Sequence, residues 1–326
     1  MDVPVIGTNG NSYPKKGTWQ VSSNYRWQKS DRHFVGSEEQ VNRTLESSEV
    51  INRIHIADVT ARYNLSDRTS LALGVPMFFA DRSSPVRNAT RQIIDRSVVQ
   101  ANGLSDITLA ARRWMLAPES HGGGNFNLGL GVKFPSGKSN VTDVRKQFSN
   151  GAIVTNRAIV DQSIQPGDGG FGFFTEASGF KRLGRFTAYG SGTYLFNPQE
   201  VNTKADRGGT NPITRYLSIG DQYIARAGLA TTFRRAGSWT LSLGGRVEGM
   251  PADDLIGGSN GFRRPGYAIS LEPGVTYSRG KQSITLGVPY ALYRNRTRSV
   301  ADRASGGHGD AAFADYLVMV GFSRSF

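Results

Sequence analysis

The chain has 326 residues with 40 glycines, 38% hydrophobic residues, 10% aromatics, no cysteine and a formal net charge of +13. That hydrophobic share is meagre for a soluble protein of this length, yet aromatics spread along the whole chain argue against disorder. No run of about 18 apolar residues exists, so no transmembrane helix is expected; a membrane barrel needs only every second strand residue apolar.

The opening "MDVPVIGTNGNSYPKKG" has no apolar h-region and is not a signal peptide. Residues 1–17 read as an N-terminal periplasmic segment and 18–326 as one barrel domain. For an exported protein the leader is then absent from this chain. Lack of cysteine suits an oxidising compartment, though weakly.

From there a two-residue period recurs. In "TWQVSSNYRW" Trp19, Val21, Tyr25 and Trp27 share a face, and in "SLALGVPMFF" Leu71, Leu73, Val75, Met77 and Phe79 do. "NFNLGLGVKF" sets Phe126, Leu128, Leu130, Val132 and Phe134 against Asn125, Asn127, Gly129, Gly131 and Lys133. "WTLSLGGRVE" and "YAISLEPGVTY" repeat the pattern, with weaker copies near 53–65, 105–116, 170–181, 186–196, 221–233, 282–293 and 313–326. About twelve strands of roughly ten residues result, the length a tilted membrane strand needs.

Connections alternate. Those at 65–69, 117–124, 181–185, 234–238 and 278–281 are short; those near 29–52, 80–104, 135–169, 197–220, 251–266 and 294–312 are long. The expected fold class is therefore all-β: a transmembrane, antiparallel up-and-down barrel of about 12 strands, with short periplasmic turns and long extracellular loops. The last strand must pair with the first to remove open edges. Aromatics near strand ends suit interfacial girdles. Phe326 fits the terminal aromatic read by the barrel-assembly machinery, although Arg324 stands two residues before it, where such signals carry an apolar residue.

Three stretches, "GLSDITLAARRWML", "NFNLGLGVKFPSGK" and "QPGDGGFGFFTEASGFKRLGRFTAYGSGTYLF", together resemble the meta-pathway phenol-degradation family of outer-membrane proteins. The likeness covers roughly 50–200. It implies a barrel of about a dozen strands that passes aromatic or other hydrophobic compounds, and it brings no catalytic residue.

With the apolar face on lipid, the other face lines the bore. Alternation places Arg26, Asp58, Arg62, Asp106, Arg112, Lys133, Glu176, Arg226, Arg246, Glu248, Glu272 and Asp315 inside. Acids and bases nearly balance there, so they are expected to be paired or wet, either as a plug or along a narrow passage. Arg246 is expected to bridge to a carboxylate across the lumen wall. Bore glycines such as Gly131, Gly228 and Gly244 suggest curvature, or room for a solute. Strand prolines Pro76, Pro273 and Pro289 suggest strand ends, or kinks that open a side exit.

Arginines in the long segments (Arg82, Arg87, Arg91, Arg96, Arg145, Arg157, Arg294, Arg296, Arg298, Arg303, with Lys146) are expected to face lipopolysaccharide phosphates or simply to solvate loops. Apolar pairs Ile93/Ile94, Val98/Val99, Ile153/Val154 and Ile159/Val160 are expected to form a lid or meet a protein partner, whose identity the sequence leaves open.

The four histidines lack metal-ligand spacing and a serine context, and glycine runs such as "LGLGVKF" precede no helix. "DDLIGGSNG" and "QPGDGG" read as turns. No enzyme, metal or cofactor is expected, and no nucleic-acid module is visible. The leading function is passive passage of a small, aromatic or hydrophobic solute through a bacterial outer-membrane channel. The alternatives are a plugged structural or docking barrel that binds a protein partner through its loops, and an outer-membrane hydrolase.

Overall fold

The computed structural model describes Tyr13, residues 15–234 and residues 237–326; the expected segment 1–17 thus lies largely outside the described residues. Twelve antiparallel staves form the wall. They are β1 (Trp19–Val35), β2 (Ile51–Asn64), β3 (Thr69–Arg87) and β4, which comes in two pieces, Ile93–Leu104 and Thr108–Trp114. Next come β5 (Gly124–Lys133), β6 (Gly172–Leu183), β7 (Phe186–Phe196), β8 (Gln222–Arg234), β9 (Ser238–Met250) and β10 (Gly266–Arg279). β11 is again in two pieces, Gln282–Gly287 and Tyr290–Asn295, and β12 is Ala311–Ser325.

Each stave pairs with its sequence neighbours, and β12 pairs with β1 from Gln20↔Ser325 to Phe34↔Ala311. The barrel is closed. The Phe326 amide donates to the Trp19 carbonyl at 2.8 Å, so the β1–β12 ladder extends to Phe326. Every apolar side chain of the period-2 pattern can then face out at no cost in backbone hydrogen bonds. Leu71, Leu73, Leu128, Leu130, Leu241, Leu243, Ile269, Leu271, Val320 and Phe322 are all exposed on the outer wall. Such a continuous apolar belt is what lipid covers and water does not. Edge-located pairs Trp19–Tyr63 and Trp239–Tyr277 pack at 4.8 Å between centroids on the short-turn side.

Two of the long connections differ from expectation. The stretch 80–104 is mostly strand, because β3 and β4 continue as a hairpin beyond the barrel rim, turning only at 88–92. Adjacent apolar pairs there hide the alternation; one member of each faces out (Ile94, Val98), while Val99 packs inward. The 134–171 connection contains a second hairpin, Thr142–Ser149 with Ala152–Ile159, laid beside the upper half of β4. It is anchored by the Gln100 and Lys146 amides, which donate to Asp143 and to Ser97 Oγ.

Pro76 and Pro273 sit within their strands at mid-wall, whereas Pro289 stands just before the upper piece of β11. The Pro76 carbonyl accepts from the Ser105 amide where β4 breaks, and the Pro273 carbonyl from Val288 where β11 breaks. Pro289 lies in the second break. Proline cannot donate to the ladder, so neighbouring strands must part or bulge there. Above its break β11 meets β12 through only one residue pair, Tyr290↔Tyr316. The Arg294 side chain crosses that seam instead, donating to the Ala314 carbonyl (3.1 Å) and to Asp315 (2.6 Å).

Candidate functional site

The barrel encloses one continuous cavity of about 1960 Å³. All twelve residues that alternation assigns to the interior line it: Arg26, Asp58, Arg62, Asp106, Arg112, Lys133, Glu176, Arg226, Arg246, Glu248, Glu272 and Asp315. What no single-strand reading shows is how they group across the lumen.

The main group is a chain of alternating charge. Arg226 on β8 donates to Glu272 on β10 at 3.0 Å. Arg246 on β9 lies 3.9 Å from Glu272 and 2.7 Å from Glu248, two residues further along its own strand. Glu248 then reaches Arg26 on β1 at 3.5 Å. Three staves stand between β9 and β1 around the wall, so this last contact crosses the bore. Arg246 thus meets carboxylates of the lumen wall, as expected, and through Glu248 it also supports a bridge over the passage. Its side chain is 4% exposed and those of Arg226 and Glu272 are 6% and 8%, whereas Arg26 is 33% exposed. The chain is dry at one wall and wet where it enters the lumen.

A second group lies on the other side. Arg112 on β4 grips Glu176 on β6 through two bonds of 2.5 and 3.0 Å, a fork that fixes geometry as well as charge. Lys133 bonds Asp168 and lies 3.7 Å from Asp106, which also accepts from the Gly137 and Asp168 amides. Asp58 accepts from Asn24, and Arg62 donates to Gln20. Asp315 belongs to the mouth, shared by Arg32 and Arg294.

The upper bore is filled by chain. Val160 and Ile164, from the segment after the outer hairpin, are buried against Ile54, Phe78, Ala80 and Ala101. Asp161 locks this plug: Arg264 donates to both its oxygens (2.7 and 2.9 Å), and Arg82 lies at 3.6 Å. Burial works to raise the Asp161 carboxyl, but Arg264 and Arg82 outweigh it and hold it well below the usual range. The pair Ile159/Val160 therefore gives half a plug, not an outer lid, whereas Ile153 and Val154 stay exposed.

At three bore positions glycine leaves room for neighbouring protein atoms. A Cβ at Gly131 would lie 2.2 Å from the ring of Phe174, and Cβ atoms at Gly228 and Gly244 would lie 2.7 and 2.8 Å from the Tyr189 hydroxyl. The Phe174 ring and the Tyr189 side chain occupy the space, and at Gly228 and Gly244 the facing backbone approaches still more closely. The missing signal was cross-strand register, not composition.

Of the long-segment arginines, Arg82, Arg96, Arg294 and Arg296 are turned inward onto protein partners, and Arg303 pairs with Asp253. Arg87, Arg91, Arg145, Arg157 and Arg298 remain exposed. Buried His33 has both ring nitrogens spent, on Asp310 (2.8 Å) and the Val50 amide (2.8 Å). Among the described residues no group of three His, Asp or Glu side chains is placed to hold a metal.

No protein-family description and no curated protein matches the chain. Among solved structures, the COG4313 outer membrane channel from Pseudomonas putida F1 aligns over 100% of both chains, with a TM-score of 0.61 at 14% identity. The CymD monoaromatic hydrocarbon channel covers 96% of this chain and 89% of its own (TM-score 0.47, 8% identity). The Ralstonia pickettii toluene transporter TbuX covers 96% and 90% (TM-score 0.45, 10% identity). The last two scores carry no argument. The first shows the fold: this chain shares the barrel architecture of that outer-membrane channel, here as a closed barrel of twelve staves.

Proposed function

We propose that the protein is a bacterial outer-membrane channel for passive passage of small solutes, aromatic or hydrophobic ones foremost. The observation that carries this reading is the closed barrel around a cavity lined by charged, polar and apolar side chains, which a charge bridge narrows without packing it solid. Short turns then face the periplasm, and the long connections, with Arg87, Arg91, Arg145, Arg157 and Arg298 exposed, face lipopolysaccharide. His33 supports a passage over a hydrolase, since neither ring nitrogen is left to serve a nucleophile. A plugged docking barrel is the second reading, favoured by the Val160–Ile164 segment in the mouth. Liposome swelling divides the two: small aromatic solutes should enter vesicles that carry the protein faster than protein-free vesicles. Equal rates, with silent planar bilayers, would favour the plugged barrel.

A further inference from the structure

Charge is distributed unevenly along the bore. Fourteen basic side chains line the cavity against eight acidic ones. The acids sit at mid-height or above; the lowest, Asp58, is six residues up β2 from its short-turn end at Asn64. Six strand residues span about 20 Å, beyond the Debye length of about 8 Å at physiological salt. Near the short turns the cavity is lined instead by five bases, Lys15, Arg113, Arg182, Arg185 and Lys281. All five are exposed. Among the described residues none of them forms an ion pair, whereas the bore bases higher up do so repeatedly. The carboxylates of the short turns, Asp67 and Glu119, do not line the cavity. Between this rim and the bridge the wall is mostly neutral hydroxyl and amide, from residues such as Ser22, Thr60, Thr187, Thr276 and Ser323.

We propose that the short-turn vestibule is an anion-attracting funnel, and that the channel's solutes are organic anions: an apolar or aromatic body carrying a carboxylate or sulfonate. This rests on the channel reading and names its substrate class. Five like charges around a confined, low-dielectric mouth sum to a potential that concentrates anions and repels cations. No Asp or Glu side chain lines the cavity at that level, so five side-chain bases stand there against the single terminal carboxylate of Phe326. Higher up, Arg26 is the most hydrated cation of the bridge, and it offers a passing anion a second guanidinium to touch. Glu248 keeps its contact with Arg246 while Arg26 turns to such an anion.

The test uses two aromatic probes of fixed, opposite charge that lipid excludes: benzenesulfonate and benzyltrimethylammonium. Entry into proteoliposomes is measured for the wild type and for the triple variant Arg182→Gln, Arg185→Gln, Lys281→Gln, whose sites are exposed, Arg182 at the end of β6 and the other two in short turns. Benzenesulfonate should enter roughly tenfold faster than the cation through the wild type. The triple variant should lose most of that ratio, through slower benzenesulfonate entry and faster entry of the cation. In bilayers under a salt gradient the reversal potential should have the sign of anion preference and move toward zero in the variant. Equal entry of both probes, above protein-free vesicles, would overturn the anion preference and leave the channel intact. Entry of neither, with silent bilayers, would overturn both. A ratio unchanged in the triple variant would remove these rim bases from the mechanism.

Discussion

Cutting the bridge over the bore is the sharpest perturbation of the site. Glu248 holds Arg246 at 2.7 Å and Arg26 at 3.5 Å, and only the second contact spans the lumen. Glu248→Ala removes both and leaves three guanidinium groups, of Arg26, Arg226 and Arg246, with Glu272 as the remaining acid of that chain. At an effective dielectric constant of 20, one pair at 4 Å is attracted by about 4 kcal/mol. Desolvation takes back most of such a gain, although breaking a buried pair still costs about 3–5 kcal/mol. Arg26 is a third exposed, so water re-solvates it once released. We therefore expect a net loss of about 1–3 kcal/mol, and a fall in Tm of roughly 2–6 °C in detergent. Single-channel conductance should rise, because nothing then ties β9 to β1 across the passage, and selectivity should shift toward anions. Conductance and Tm both at wild-type values would refute the bridge.

Further expectations concern assembly, plug and seam. The purified protein should need detergent, show β-dominated circular dichroism and migrate differently on gels when unheated; a monodisperse species without detergent would contradict the lipid-covered belt. Deleting Phe326 should lower membrane-inserted protein in cells but leave refolding in detergent intact, since its backbone contributes one bond to Trp19 at the rim; normal insertion would remove its role as an assembly signal. The depressed Asp161 carboxyl contributes stability that is fully present above the unfolded carboxylate value of about 4 and is lost as pH falls below it. Acidification below about pH 4 should therefore loosen the mouth plug and raise conductance, and Asp161→Asn should weaken that dependence by removing the titrating group. Arg294→Ala should loosen the β11–β12 seam and raise hydrogen exchange at the amides of residues 290–295 and 311–316, with exchange in β5 to β8 unchanged.

Sequence by itself determined the wall. A period of two carries inside and outside for every residue of a strand, so strand number, up-and-down order, closure through the terminal strand and the interior placement of the charged side chains all followed from local pattern. Interior position is a property of one residue on one strand. Pairing is not, and there the pattern fell silent. Arg26 and Glu248 are 222 positions apart, and they meet only because closing twelve staves sets the bore narrow enough for two side chains to span it. The same limit explains the glycines: Gly131 reads as curvature until register puts Phe174 over it. It explains the mouth as well, where Asp161, which no local pattern singles out, is held by Arg82 from β3 and by Arg264 from the segment before β10. Those decisions belong to the tertiary structure, because electrostatic and packing partners across a barrel are chosen by its circumference and register, which no stretch of strand encodes alone.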